Sequence, residues 1–269
     1  MIVSIDGGDI GYDDNGHGEA VVFVHGFPHD RTLWSQQRVA LASRARCIAL
    51  DLPGFGESSV RTGTSIDMFG DIIMRLLDHL GIDRATICGL SMGGYVAMGC
   101  WRRHAARVSG LILCDTKAGA DTDEGRTKRN ETIELVKRQG VSRLAAVQIS
   151  GMLGKRTRES NASLIGWTRA MMERQPAAGV VAALGAMRDR PDSLRTLRSV
   201  KVPTLIIVGE DDVITPPSEA RAILEALPEA ALAQLDIIAG AGHASCVERP
   251  AAVTHAIADY LAARTARQH

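Results

Sequence analysis

Short runs of β-branched and other apolar residues punctuate this chain, each followed by a stretch whose apolar residues recur every three or four positions. The runs are AVVFV (20–24), RCIAL (46–50), ATIC (85–88), SGLILC (109–114), PTLIIV (203–208) and LAQLDII (232–238). Runs this short and this uniformly apolar fit strands buried on both faces. They alternate with helical patterns over 32–43, 66–80, 92–104, 217–226 and 250–264. That alternation predicts an α/β fold with a mostly parallel, doubly wound sheet. IVSI and DIGYDD, near residue 1, read as an antiparallel pair at one edge. Pro250 suits the first turn of the last helix, where a missing N–H costs nothing.

The rhythm changes between Thr116 and Ser199. No strand pattern occurs there, and apolar residues fall at helical spacing, as at Ile133 and Val136, or at Ile165, Trp167, Met171 and Met172. Helices inserted at the carboxyl edge of a parallel sheet would lie over the crevice where such sheets bind ligands. The expected organisation is a core of 1–118 and 200–269 carrying a helical cap at 119–199. The cap has 15 Lys and Arg against 9 Asp and Glu, including KRTR at 155–158. A solvated helical surface accounts for that excess; steering of anionic substrates is the alternative.

Composition narrows the function classes. With 31 basic and 31 acidic residues, the chain offers no electrostatic case for nucleic acid. MIVSIDGGDI lacks the basic patch and apolar run of a signal peptide, and no segment reaches the ~18 apolar residues of a membrane span. Cytoplasm is the expected location, with no membrane partner; the oligomeric state is not legible. The five cysteines form no C-x-x-C pair or metal-ligand cluster, which predicts buried, reduced thiols, with Cys246 nearest in sequence to a reactive histidine.

The chemistry begins at GLSMGG (89–94). G-x-S-x-G supplies the small flanking residues of a sharp strand-to-helix turn that exposes a hydroxyl, here that of Ser91. The following helix aims the Met92 N–H at the place where negative charge would develop. A serine hydroxyl needs a base to become a nucleophile. Of eight histidines, His243 in GAGHASCVERP lies beyond the last strand in a glycine-rich loop. His79, His104 and His255 sit in helical patterns, His17 and His29 in early loops, and His269 at the final position. His25, in FVHGFPHD, reads as a structural group bonding loop backbone, while Phe27 is placed to give a second oxyanion N–H. The orienting carboxylate falls in GEDDVITPP (209–217), where spacing does not separate Glu210, Asp211 and Asp212; Asp115, after SGLILC, is a rival. Trp34 and Trp167 are candidate pocket residues.

Together HGFP (25–28), DLPGFGES (51–58), GLSMGG, GEDDVITPP and GHASCVERP give a chain that resembles the α/β-hydrolase superfamily over nearly its whole length outside the cap. It is similar to the capped ester- and lactone-cleaving branch, including 3-oxoadipate enol-lactonases, carboxylesterases and cofactor-free haloperoxidases. The resemblance implies the α/β-hydrolase fold and assigns the acid to Asp212, with Ser91 and His243 completing a catalytic set. Asp51 and Gly54 would hold a tight loop near the site. It implies acyl transfer on a small-molecule ester or lactone, with no metal and no organic cofactor. Haloalkane dehalogenases and most epoxide hydrolases of this fold carry aspartate where this chain has Ser91, which sets both activities aside. The same residue types would also serve carbon–carbon bond hydrolysis or a perhydrolase or haloperoxidase side reaction. A ligand receptor on the same fold is a further alternative.

Overall fold

A computed structural model describes residues 1–268, with side chains through Arg264; His269 lies outside the described residues. Eight strands form one sheet: β1 (Ile2–Ile5), β2 (Gly8–Asn15), β3 (Ala20–Val24), β4 (Arg46–Leu50), β5 (Ala85–Leu90), β6 (Val108–Cys114), β7 (Thr204–Gly209) and β8 (Gln234–Ile238). Their spatial order is β1-β2-β4-β3-β5-β6-β7-β8. β1 and β2 pair antiparallel, as does β2 with β4, and every other pairing is parallel. β3, β5 and β7 are buried at every residue, as uniformly apolar central strands must be, whereas the edge strand β8 is only partly covered.

Successive residues of a strand enter opposite cores, following the twofold repeat of the pleat. Val22, Val24, Ile87, Leu111 and Ile206 pack with α2 (Ile66–His79) and α3 (Met92–His104). Val21, Phe23, Cys88, Ile112 and Leu205 face the other layer, with Leu41 of α1 (Ser35–Leu41) and Ile257 of α11 (Pro250–Gln268). All five cysteines are free and buried, Cys246 included. No helix among the described residues is long and apolar enough to cross a membrane.

Between β6 and β7 the chain is helical: α4 (Asp123–Met152), α5 (Lys155–Ser160), α6 (Ala162–Glu173), α7 (Ala177–Arg188) and α8 (Leu194–Leu197). Thr122 and Asn161 cap α4 and α6 by accepting the N–H of Gly125 and Leu164. α4 is broken at Gly140, whose φ of 79° and ψ of 175° place it outside the helical region and turn the second half of α4 toward the sheet edge. Two further helices, α9 (Pro217–Ala226) and α10 (Ser245–Glu248), frame the last strands.

The inserted helices are fastened to the sheet side by buried polar groups. Gln175, between α6 and α7, donates to Asp30 Oδ2 at 2.8 Å and accepts the Gly56 N–H at 2.9 Å. Arg174 adds a forked pair to the same Asp30 carboxylate, at 2.7 and 2.8 Å. Beside this junction Gly179 meets Gly54 so closely that a Cβ on Gly179 would lie 1.8 Å from the Gly54 carbonyl oxygen. No other residue type fits there.

The two tryptophans proposed for the pocket lie elsewhere. Trp34 is fully buried against Phe23, their ring centroids 5.3 Å apart, because the loop after β3 folds it into the α1/α11 layer. Trp167 is 42% exposed on α6. Its neighbours Thr168, Met171 and Met172 form the buried stripe, and Trp167 points about 100° away from Thr168 around the helix.

Candidate active site

Loops at the carboxyl ends of β3, β5, β6, β7 and β8 converge at one edge of the sheet, the usual ligand edge of an open parallel sheet. The turn after β5 is sharp. Ser91 adopts φ 54° and ψ −111°, a region that costs a non-glycine residue roughly 1–3 kcal/mol. Close packing enforces it: a Cβ on Gly89 would lie 2.1 Å from Gly93 O, and one on Gly93 2.3 Å from Val24 O. Backbone bonds pin the strained residue, since Ser91 N–H donates to Cys114 O at 2.9 Å and Thr116 Oγ–H donates to Ser91 O at 2.8 Å. The side chain is left pointing out of the turn.

His243 Nε2 lies 2.8 Å from Ser91 Oγ. On the other side of the ring, Nδ1 lies 2.9 Å from Asp212 Oδ2. Asp212 Oδ1 accepts the N–H groups of Ile214 and Thr215 at 2.8 and 3.0 Å, and Thr215 Oγ–H donates to Oδ2 at 2.8 Å. With its backbone donors fixed, the carboxylate has one remaining direction, toward the ring. Of the three acids in GEDDVITPP, Glu210 and Asp211 are exposed and Asp212 is buried. Asp212 is the one of these three whose carboxylate meets His243.

Electrostatics follow from this packing. Burial is the largest single influence and disfavours the charged forms of both groups. The His243–Asp212 hydrogen bond and attraction outweigh it together with the Thr215 bonds to Asp212 and the negative charges of Asp115 and Glu248 near His243. The net result holds the Asp212 carboxyl below its usual range and the His243 imidazole above 6.5. Asp115 is also buried, and its role differs. Its Oδ1 accepts the Gly209 N–H at 2.8 Å, and Ser245 Oγ–H donates to its Oδ2 at 2.5 Å. Burial, helped by the negative charge of Asp212, pushes the Asp115 carboxyl up to about 8. Asp115 braces a loop two residues beyond His243 and does not touch the ring.

His25 is a structural link. Its Nδ1 bonds Gly26 O at 2.8 Å, and its Nε2 accepts the Leu52 N–H at 3.0 Å. Burial lowers its pKa and keeps it neutral. Asp51 is likewise occupied, accepting the backbone N–H of Arg31 at 2.8 Å and of Glu57 at 2.9 Å. The loop carrying Phe27 lies alongside the serine turn: a Cβ on Gly26 would lie 3.2 Å from Leu90 O and 3.4 Å from Ser91 Cβ.

A cavity of about 360 Å³ opens over Ser91 and His243. Phe27, Met152, Met187 and Ile214 give it apolar walls, and Tyr95, Gln148, Ser150 and Arg129 add polar groups beside Ser91 and His243. Sequence reasoning missed Arg129, which reads as one more charge on a polar helix; only the fold turns it inward. Its Nε–H donates to Asp121 Oδ2 at 3.0 Å. The same carboxylate takes Arg190 at 2.7 Å and Lys117 at 3.7 Å, so three cations share one anion. Arg190 in turn lies over the Tyr95 ring, 4.2 Å from its centroid. Arg129 thus belongs to a group of three cations around one carboxylate beside the cavity.

The sequence matches the alpha/beta hydrolase family over residues 21–256. It is 29% identical over 252 residues to 3-oxoadipate enol-lactonase 1 of Acinetobacter baylyi, covering 93% of this chain and 92% of that protein. Among solved structures, a thermophilic esterase from Thermogutta terrifontis, solved with malate bound, superposes with a TM-score of 0.91 at 38% identity, covering 97% of this chain and 96% of that one. The enol-lactonase from Burkholderia xenovorans gives 0.89 at 26%, covering 97% and 100%. The sheet order, the serine turn and these likenesses agree: the chain belongs to the alpha/beta hydrolase family.

Proposed function

We infer that the protein is a serine hydrolase cleaving carboxylic esters or lactones of small molecules, with Ser91, His243 and Asp212 as its catalytic triad. The observation that carries this reading is the unbroken series of hydroxyl, imidazole and carboxylate, at 2.8 and 2.9 Å, opening onto a largely apolar cavity. The esterase and enol-lactonase relatives support the same reaction class.

In this mechanism Ser91 Oγ attacks the ester carbonyl carbon as its proton passes to His243 Nε2. Asp212 holds the ring in the tautomer with the proton on Nδ1 and stabilises the imidazolium that forms. The carbonyl oxygen, now an oxyanion, is held by the backbone N–H groups of Phe27 and Met92, each worth about 2.7–4 kcal/mol at measured sites of this type. His243 then returns the proton to the leaving alkoxide. Water, deprotonated by the same ring, attacks the acyl-enzyme and releases the acid and Ser91. For a lactone, alcohol and acid leave as one molecule. Residues 119–199 act as a cap that walls this chemistry from bulk water, on a core of 1–118 and 200–269.

The reading is tested by steady-state turnover of a panel of esters and lactones graded in acyl length and charge, with Ser91→Ala as the control. Absence of turnover across the panel would overturn it. The raised His243 pKa sets a second expectation. The base works only when neutral, so kcat/KM rises with pH and its acidic limb has a midpoint above 6.5. A midpoint below 6.5 in a kcat/KM profile would contradict this.

Arg129 gives a third. Among the described residues lining the cavity it is the permanent cation, whereas His243 is charged only when protonated. Esters with a carboxylate on the acyl chain, such as p-nitrophenyl hemisuccinate, are expected to depend on it. Arg129→Gln should raise KM for that ester about 10- to 100-fold, the worth of one charge-assisted hydrogen bond. The neutral p-nitrophenyl butyrate should change less than about threefold under the same loss. Equal effects on both esters would remove Arg129 from substrate recognition.

A further inference from the structure

GHASCVERP contains a carboxylate that the reaction does not use. Glu248 is buried at the end of α10. Its Oε1 accepts the Gly242 N–H at 2.7 Å, and its Oε2 accepts the Gly154 N–H at 2.8 Å. Gly242 precedes His243; Gly154 belongs to the junction of α4 and α5 in the inserted helices. No cation pairs with Glu248 among the described residues. Its neighbour Arg249 instead directs its guanidinium to the carbonyls of Glu248 and Gly240. An uncompensated buried carboxylate is costly unless backbone donors satisfy it. Here the two donors come from two different parts of the chain.

The same junction grips His243 from its other side, since the Ala244 N–H donates to Met152 O at 2.9 Å. The two loops also touch directly: a Cβ on Gly242 would lie 2.4 Å from Gly154 N. Both residues flanking His243 are thus tied to Met152–Gly154, and Met152 also lines the cavity. We propose that Glu248 is a positioning residue that couples the α4–α5 junction, and through Met152 the occupant of the cavity, to the placement of the His243 ring. The proposal rests on the role of His243 in the mechanism above. Displacing the junction moves the base against Ser91, and a misplacement of about 1 Å can cost about 10²-fold in rate without touching the substrate.

Glu248→Gln is the first test. An amide has one acceptor oxygen where the carboxylate has two, so its NH2 group must face an N–H and at least one tie is lost. The expected result is a fall in kcat of about 10- to 100-fold on p-nitrophenyl butyrate, with KM within about threefold. The acidic limb of kcat/KM should also move to lower pH. The groups facing His243 are Asp212 after β7, Asp115 after β6, His29 after β3 and Glu248 from α10, and this variant removes one negative charge from that set.

Gly154→Ala approaches from the other side and keeps every charge. Its Cβ would lie 3.0 Å from Gly242 N, forcing the two loops apart. The same selective loss of kcat is expected, with the limb unmoved. Thermal unfolding and circular dichroism establish that each variant is folded, and Gly154→Ala decides the matter should Glu248→Gln not fold. A folded variant of either kind with kcat within twofold of the parent protein overturns the coupling. Failure of the parent protein to turn over any ester, or to be labelled at Ser91 by a fluorophosphonate, would instead overturn the serine-hydrolase reading.

Discussion

Ser91→Ala should lose about six orders of magnitude in kcat, the scale on which serine hydrolases fail without their nucleophile. It should do so while staying folded. The hydroxyl makes no cap bond to α3, and the partner it meets is His243 Nε2. The backbone bonds that hold the turn, from Ser91 N–H to Cys114 O and from Thr116 to Ser91 O, survive the substitution. The change in stability should stay within about 1 kcal/mol, as for a side chain without a structural role. Burst and steady-state kinetics on an activated ester, with a thermal melt beside them, check both halves. Turnover near the parent level would mean that acyl transfer does not pass through this oxygen.

The second large effect is a contrast between two buried acids. Asp212→Asn is expected to lower kcat about 10⁴-fold, because the new NH2 group faces Nδ1 and drives the ring proton to Nε2, where it blocks acceptance from Ser91. Asp115→Asn should leave kcat within about tenfold, since Asp115 bonds Ser245 and Gly209 and not the ring. Stability gives a separate readout of Asp115. The Asp115 carboxyl has its pKa raised from 3.8 to about 8 in the folded protein. Between those values the native state retains a proton that the unfolded chain has released. The stability this supplies is complete below about pH 4 and drains away as pH rises through 8. Asparagine mimics the protonated acid and does not titrate. The melting temperature of Asp115→Asn, relative to the parent, should therefore climb steadily from pH 4 to pH 8. A loss in kcat on Asp115→Asn larger than on Asp212→Asn would reassign the orienting acid; a flat melting difference would mean that burial does not raise the Asp115 pKa.

Why some of this was legible in the sequence and some not has a physical basis. β3 and β4 stand at the residues their apolar runs marked, and α3 and α9 at those their periodicity marked. In each, local propensity and tertiary burial ask for the same thing. GLSMGG announced its turn because two backbones cross within a Cβ of each other there, a demand only glycine meets. The inserted helices spoke more faintly. α4 is exposed over much of its first half and broken at Gly140, so it shows no continuous stripe. Trp167 misled because a large apolar residue one position off the stripe formed by Thr168, Met171 and Met172 still looks periodic. Arg129, Tyr95 and Gln148 became cavity groups through packing between distant elements, which no local pattern encodes. Glu248 was visible in its motif, but its partner Gly154 lies 94 residues away.

The contact between Gly54 and Gly179 pins α7, whose far end carries the cavity residue Met187, against the loop after β4. A methyl group has no room at that crossing, and Gln175 rivets the neighbouring loops together. Val147 and Ile214, by contrast, border the cavity while standing 52% and 43% in solvent. Efforts to widen the range of compounds the cavity admits should therefore remodel Val147 and Ile214, and leave untouched the glycine crossing that anchors α7.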